Sequence, residues 1–241
     1  MKQTGKQGAA GPDGTRPPVV LVDADGRALG EAPLVDAHTG RGLKHLAFTA
    51  LLFDADDHLV LARRSATKPL WPGAWDGTFA SHPGVGEPMG DAVHRRSGEE
   101  LGLSVAGVPL AAIDYRVDDP AAGADAPFAE HEYCAVYLAR LAPGDELVPD
   151  PGEVRGLRRV SLASLLEASP AVWRDHCPWL ALALEALRCE LSGARHERAR
   201  AFDGALAALR SDGAGPALRA VIADLVPKGE WRVAPVLQNW K

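Results

Sequence analysis

Apolar positions in this chain fall into short runs separated by turn residues, and most of those runs read as strands. The longest, at 45–53, is His-Leu-Ala-Phe-Thr-Ala-Leu-Leu-Phe. Residues 54–57 turn the chain, and 59–63 return as its neighbour. Shorter runs predict strands over 19–23 (followed by an Asp25-Gly26 turn), 75–79 and 108–117. A further strand is predicted over 130–142, where β-forming residues dominate. The pattern changes at 88–101, which predicts a helix. Glu87 and Pro88 stand at its opening, where a carboxylate and a proline are favourable, and Gly102 stops it. Ser161 is a natural N-cap for a short helix to 168. Residues 178–210 are helical in composition and 216–225 predict another helix. The Trp-containing end, 231–241, carries no regular pattern. Turn-rich stretches at 70–73, 118–129 and 143–152 are loops. Strands followed by helices predict an α/β (α+β) fold of packed layers.

Composition narrows the setting. The 241 residues are 46% hydrophobic and 24% charged, an ordinary globular balance for one domain with extensions. No run of eighteen apolar residues predicts an integral membrane segment. Residues 1–18 are Gly/Pro-rich and are expected to be disordered. Lys2 and Lys6 have no apolar core behind them, so no secretory signal is expected and the cytoplasm is the default location. Three cysteines, Cys134, Cys177 and Cys189, make no disulfide framework, and each is expected to be a small buried hydrophobe. A net charge of -6 argues against a nucleic-acid partner. A phosphorylated substrate stays compatible, because a basic cluster or a metal reverses the field locally.

Candidate chemistry centres on the strand from Glu130. With a period of two, Glu130, Glu132, Cys134 and Val136 share one face, and His131, Tyr133, Ala135 and Tyr137 share the other. Two carboxylates on the Cys134 face are costly if buried unpaired, and a bound cation resolves that cost. A solvated strand start is the alternative. His38, His45 and His82 supply imidazoles that, with two carboxylates, suit an octahedral Mg or Mn site. Glu99 and Glu100 stand four residues beyond Arg95 and Arg96, a spacing that serves helix ion pairs or carboxylates for a second metal. Arg63, Arg64 and Lys68 form a basic turn suited to a diphosphate. Trp71, Trp75, Trp179 and Tyr115 are candidate aromatic walls for a carbocation, with core packing as the alternative.

Taken in order, Ala37-His38-Thr39, His45-Leu46-Ala47-Phe48, Trp71-Pro72-Gly73-x-Trp75, Ser81-His82-Pro83, Asp91-Ala92-Val93-x-Arg95-Arg96, Glu100-Leu101-Gly102, Glu130-x-Glu132 and Pro178-Trp179 resemble the type 1 isopentenyl-diphosphate isomerases. That family is a branch of the Nudix superfamily, and the resemblance covers about 19–187. It implies a Nudix-type layered fold, a mixed β-sheet flanked by helices. Residues 188–241 are then a mainly helical C-terminal extension packed on or beside it. It also implies metal ligation by His38, His45, His82, Glu130 and Glu132. Glu100 would hold Mg2+ with the substrate diphosphate, and Arg64, Lys68 and Arg96 would surround that diphosphate. Glu132, Tyr115 and Trp179 would be catalytic. The His/Glu site would take Mg2+ or Mn2+, with zinc a third candidate.

Three departures qualify the resemblance. The family's cysteine two residues before the third metal histidine is Ala80 here, and alanine moves no proton. Leu34 stands where a lysine is expected near the diphosphate. Over fifty residues follow the resemblance. The expected function is therefore a metal-dependent isoprenoid reaction through alkene protonation and a carbocation, as in conversion of isopentenyl to dimethylallyl diphosphate. Cyclisation of another prenyl substrate, begun by protonation, is the alternative that Ala80 suggests, and Nudix diphosphate hydrolysis is a weaker third. The expected partner is an isoprenoid diphosphate or other prenyl substrate, bound by a monomer or homodimer.

Overall fold

The computed structural model describes residues 17–120, 128–192, 197–226 and 230–240. The expected disorder before residue 17 and the centre of the 118–129 loop lie outside those residues. A hairpin, β1 (Val19–Val22) and β2 (Ala28–Ala32), precedes a short helix, α1 (Leu34–His38). Neither β2 nor α1 is marked in the sequence, because β2 is mostly exposed and α1 has five residues with no side-chain cap. The central strand β3 (His45–Phe53) coincides with the long apolar run, and β4 (Leu59–Arg64) follows the predicted turn. β3 and β4 are antiparallel neighbours as expected, with their paired register confined to Phe53 and Leu59.

The predicted strand over 75–79 is two strands, β5 (Trp75–Asp76) and β6 (Phe79–Ser81). β5 pairs with β4, whereas β6 pairs with β3. The switch falls at Gly77, where a Cβ would meet Leu51 Cδ2 at 2.9 Å, so any larger residue would have to push that buried side chain aside. Helix α2 (Met89–Leu101) ends at Gly102 in the left-handed region, as the sequence predicts.

Two long strands, β7 (Val108–Asp118) and β8 (Ala129–Arg140), pair antiparallel, and β8 runs parallel to β3. β9 (Val154–Val160), unpredicted, pairs with β4. Ser161 caps α3 (Leu162–Leu166) through its hydroxyl, which accepts from the Ser164 amide. A short α4 (Pro170–Trp173) leads to α5 (Pro178–Leu191). The helix predicted over 178–210 stops there. Two 3-10 turns replace it, because the chain descends onto the sheet, with Phe202 packed on Phe53 at 6.0 Å. After α6 (Ala214–Leu225), β10 (Trp231–Ala234) gives the tail a regular structure that its sequence did not suggest. β10 covers the edge of β7, whose backbone groups would otherwise lack partners.

Among the described residues the sheet order is β10-β7-β8-β3-β1-β2, with β4, β5, β6 and β9 branching from β3. Two apolar clusters form. One joins Ala47, Leu51, Tyr115, Cys134, Val136 and Trp179 to α5, α6 and the 3-10 turns. The other joins Phe48, Phe79, Val93, Tyr133, Ala135 and Tyr137 to α2 and the C-terminal Trp240. The predicted alternation along 130–137 therefore holds, with opposite faces in different clusters. Cys134 and Cys177 are buried as expected. Cys189 is exposed, because the end of α5 faces outward.

Candidate metal centre and active site

Three elements deliver the histidines to one point. α1 carries His38, and Gly42 then turns the chain so that His45 opens β3. A side chain at Gly42 would crowd His131, Ala129 and Ala37, which ties this loop to the start of β8. His82 follows β6. The three rings lie 4.8–5.4 Å apart, centre to centre. Ligand atoms of His38, His45, His82 and Glu132 all lie within 4.8 Å of one another. Glu130 joins them, its Oε2 3.0 Å from His38 Nε2.

The ring orientations are fixed from behind. His38 Nδ1 lies 2.7 Å from the Leu34 carbonyl and His45 Nδ1 2.7 Å from the Leu43 carbonyl. A carbonyl only accepts, so both Nδ1 atoms carry the hydrogen and both Nε2 atoms turn toward the centre. A carbonyl behind the ring in this way sets the tautomer of a histidine that binds a metal. His45 Nε2 and His82 Nε2 face each other at 3.1 Å, and His82 Nε2 lies 3.2 Å from Glu132 Oε1. Glu130 Oε2 is buried and accepts no hydrogen bond of good geometry. Three imidazoles and two carboxylates converging on one buried point fit a divalent cation.

Electrostatics keep two of the three imidazoles neutral, as metal ligands must be, and charge the third. Burial, then the neighbouring His82, holds His45 down to about 4, and burial, then His38, holds His82 down to about 3. Burial also opposes a charge on His38, but Glu130 outweighs it and raises His38 to about 9. Burial and the Glu130 charge push Glu132 up, whereas His38 holds Glu130 down against its own burial. The Tyr115 hydroxyl donates to Glu132 Oε2 at 2.6 Å, with its own pKa raised by burial and then by Glu132.

A second cluster lies beside this centre. A small cavity is lined by Arg64, Lys68, Asp76, Ala80, Glu100 and Glu153, among others. Arg96 pairs with Glu99 and Glu100 and lies 3.6 Å from Glu153, while Lys68 pairs with Glu153. Burial raises the Glu100 carboxyl against the pull of Arg96. Arg64 donates to the Leu70 carbonyl and to Asp76, and its guanidinium stacks on Trp179 at 5.4 Å. It is thus oriented on several sides, and what it adds to the cavity is mainly charge.

The aromatic candidates separate. Trp71 and Trp179 meet edge to face at 5.2 Å, and Trp71 is held in the left-handed region, φ 45°, by a hydrogen bond from its amide to Asp119. Trp75 instead lies between Arg63 and Arg158, and Arg63 donates to the Gly73 carbonyl. Neither Trp75 nor Arg63 lines the cavity. Sequence reasoning missed Asp76 and Glu153. The available signals were an acid inside the apolar run Trp-Asp-Gly-Thr-Phe-Ala and an acid directly after the Pro151-Gly152 turn.

The chain is similar to known proteins. Residues 43–182 match the NUDIX domain family. A Haloarcula marismortui protein named isopentenyl-diphosphate Delta-isomerase is 40% identical over 174 residues, 71% of this chain and 91% of that protein. A Clavibacter sepedonicus protein of the same name is 40% identical over 172 residues, covering 70% and 86%. Among solved structures, the DR0079 protein of Deinococcus radiodurans is similar with a TM-score of 0.49 and 22% identity, covering 62% of this chain and 86% of its own.

Proposed function

Because the chain belongs to the type 1 isopentenyl-diphosphate isomerase branch of the Nudix superfamily, we propose that it interconverts isopentenyl and dimethylallyl diphosphate through a tertiary carbocation. The observation that carries this reading is the convergence of His38, His45, His82 and Glu132 within 4.8 Å, with Glu130 beside them and Tyr115 on the Glu132 carboxylate. His38, His45, His82, Glu130 and Glu132 would hold Mg2+ or Mn2+, which would offset the carboxylate charge, and Glu100 would help hold a Mg2+ that supplies positive charge for the diphosphate. Glu132, steadied by Tyr115, delivers a proton to the terminal methylene. The edge-to-face pair Trp71 and Trp179 walls the hydrocarbon, and an aromatic face there stabilises the cation. Arg64, Lys68, Arg96 and Glu100 receive the diphosphate. Residues after Leu187 complete the same body instead of forming a separate enzyme, since β10 extends the sheet and α6 packs on α5. Among the described residues no helix is long and apolar enough to cross a membrane.

The test is product analysis by NMR with metal-loaded protein, Mg2+ and isopentenyl diphosphate in deuterated water. Dimethylallyl diphosphate carrying deuterium in a methyl group is expected. Released phosphate or a cyclic product, without the allylic isomer, would overturn the reading.

A further inference from the structure

Isomerisation needs two proton carriers, one to add a proton at the terminal carbon, C4, and one to remove a proton from C2. Glu132 with Tyr115 is one. Ala80 carries no titratable group, so the second must come from elsewhere in the pocket. Cys134 and Cys177 are both buried, and burial pushes both thiols up, so neither offers a thiolate.

Asp76 fits better. Its carboxylate lines the same cavity as Ala80, Lys68 and Glu100. Oδ1 accepts from the Trp179 indole at 2.7 Å and from the Gly77 amide at 2.7 Å, which ties it to the aromatic wall. Oδ2 accepts from Arg64 at 3.1 Å and keeps a further lone pair. Across the sheet, Glu132 lies on β8, on one side of β3. Ala80 on β6 and Asp76 on β5, which reaches the sheet through β4, lie on the other. The two carboxylates therefore approach the pocket from different flanks. Asp76 shares its cavity with the groups that receive the diphosphate, and C2 is close to that end of the substrate. Glu132, in the metal centre, is left with C4.

We propose that Asp76 is the second acid–base group of this pocket and takes the proton leaving C2, work that Ala80 is unable to do. This assignment rests on the isomerase reading above. In the forward step Glu132 gives its proton to C4, and the C3–C4 π pair forms the new C–H bond. The C2–H pair then becomes the C2=C3 bond, and that hydrogen passes as a proton to Asp76. One proton enters and one leaves the substrate, and exchange with water resets the two carboxyls after release. Burial raises the Asp76 carboxyl against the pull of Arg64, which makes it the stronger base.

The test compares wild type, Asp76→Asn, Asp76→Asn with Ala80→Cys, and Glu132→Gln in deuterated water, with isopentenyl diphosphate and Mg2+. NMR follows both isomer formation and deuterium entry at C4 of unreacted substrate. In Asp76→Asn, isomer formation should fall about 10²–10⁴-fold, the usual worth of acid–base assistance. Exchange at C4 should persist, because Glu132 still adds and recovers a proton there, so the ratio of exchange to isomerisation should rise at least about 10²-fold. Adding Ala80→Cys should recover part of the isomerisation, because it returns a proton carrier to the same cavity. Glu132→Gln should abolish both signals. A purely structural Asp76 would lower both signals together without rescue by Ala80→Cys, and that result would overturn the assignment. Unchanged isomerisation in Asp76→Asn would overturn it too, leaving the isomerase reading intact. A wild-type chain that neither isomerises nor exchanges would overturn both.

Discussion

The two charged clusters of the site are built on opposite plans. Around His38, His45 and His82, imidazole nitrogens and carboxylates crowd one another, and the only opposite charges already joined are those of His38 and Glu130. Around Lys68, Arg96, Glu100 and Glu153, charges of opposite sign are already joined. The first cluster suits a cation as its completing member. Under the proposed function the second would open some of its ion pairs to admit a diphosphate, and binding there would be an exchange of partners that costs part of the gross interaction energy.

Metal removal should produce the largest effect, because without the ion two buried carboxylates face a single charged imidazole, His38. For a metal at 100 times its dissociation constant, linkage gives about 2.7 kcal/mol of stabilisation. For a chain of this length that corresponds to roughly 5–10 °C in Tm. Chelation should also abolish turnover, and Mg2+ or Mn2+ should restore both. The pH dependence sharpens this. In the metal-free chain His38, raised to about 9, contributes stability below about 6.5 that is lost as pH rises through about 9. His45 and His82, lowered to about 4 and about 3, stay neutral when folded, so stability also falls as pH drops below about 6.5. Metal needs deprotonated ligands, so the gap in Tm between loaded and stripped protein should widen from pH 6 to pH 9. Calorimetry across that range would reveal a constant gap if this shell does not hold the ion.

Glu100→Gln should have an intermediate effect. The carboxylate is lost, but Arg96 keeps Glu99 and lies near Glu153, so the fold should survive with a small change in Tm. The Mg2+ concentration for half-maximal turnover should rise about 10–100-fold, the usual scale for disturbing a metal site. An unchanged magnesium titration would remove Glu100 from the diphosphate site.

Several of these features were legible in the sequence and several were not. The β3 run, the α2 stop at Gly102 and the two faces of 130–137 all follow from local periodicity and capping, which is why they were readable. The five residues that the fold gathers around His38 were named through motif order, since His38 and Glu130 meet only through the fold. Helix α1 was invisible because five residues without a cap carry no periodicity. Strand β9, Val-Arg-Gly-Leu-Arg-Arg-Val, lacks clean alternation and is specified by its pairing with β4. Asp76 gains its meaning from Trp179, 103 residues away, and Glu153 gains its own from Lys68 and Arg96. No local pattern encodes such neighbours.

Lys68→Met should have the smallest effect on the fold and a clear one on binding, and that split is the finest test of the paired cluster. The Lys68 and Glu153 side chains are 11% and 22% exposed, so their ion pair is partly screened and should be worth no more than about 1 kcal/mol. Glu153 also keeps Arg96 nearby at 3.6 Å. Unfolding by urea should therefore shift little. In the substrate complex Lys68 is expected to leave Glu153 for a diphosphate oxygen, and a hydrogen bond to a charged group is worth about 1.5–3 kcal/mol. KM should rise about 10–100-fold with kcat nearly kept, because the diphosphate is held equally in ground and transition states. Lys68→Arg should keep most of the affinity. Steady-state kinetics beside a urea titration separate the two contributions. If stability collapses while KM stays fixed, Lys68 serves the fold, and the partner exchange inferred for this cluster does not occur at that residue.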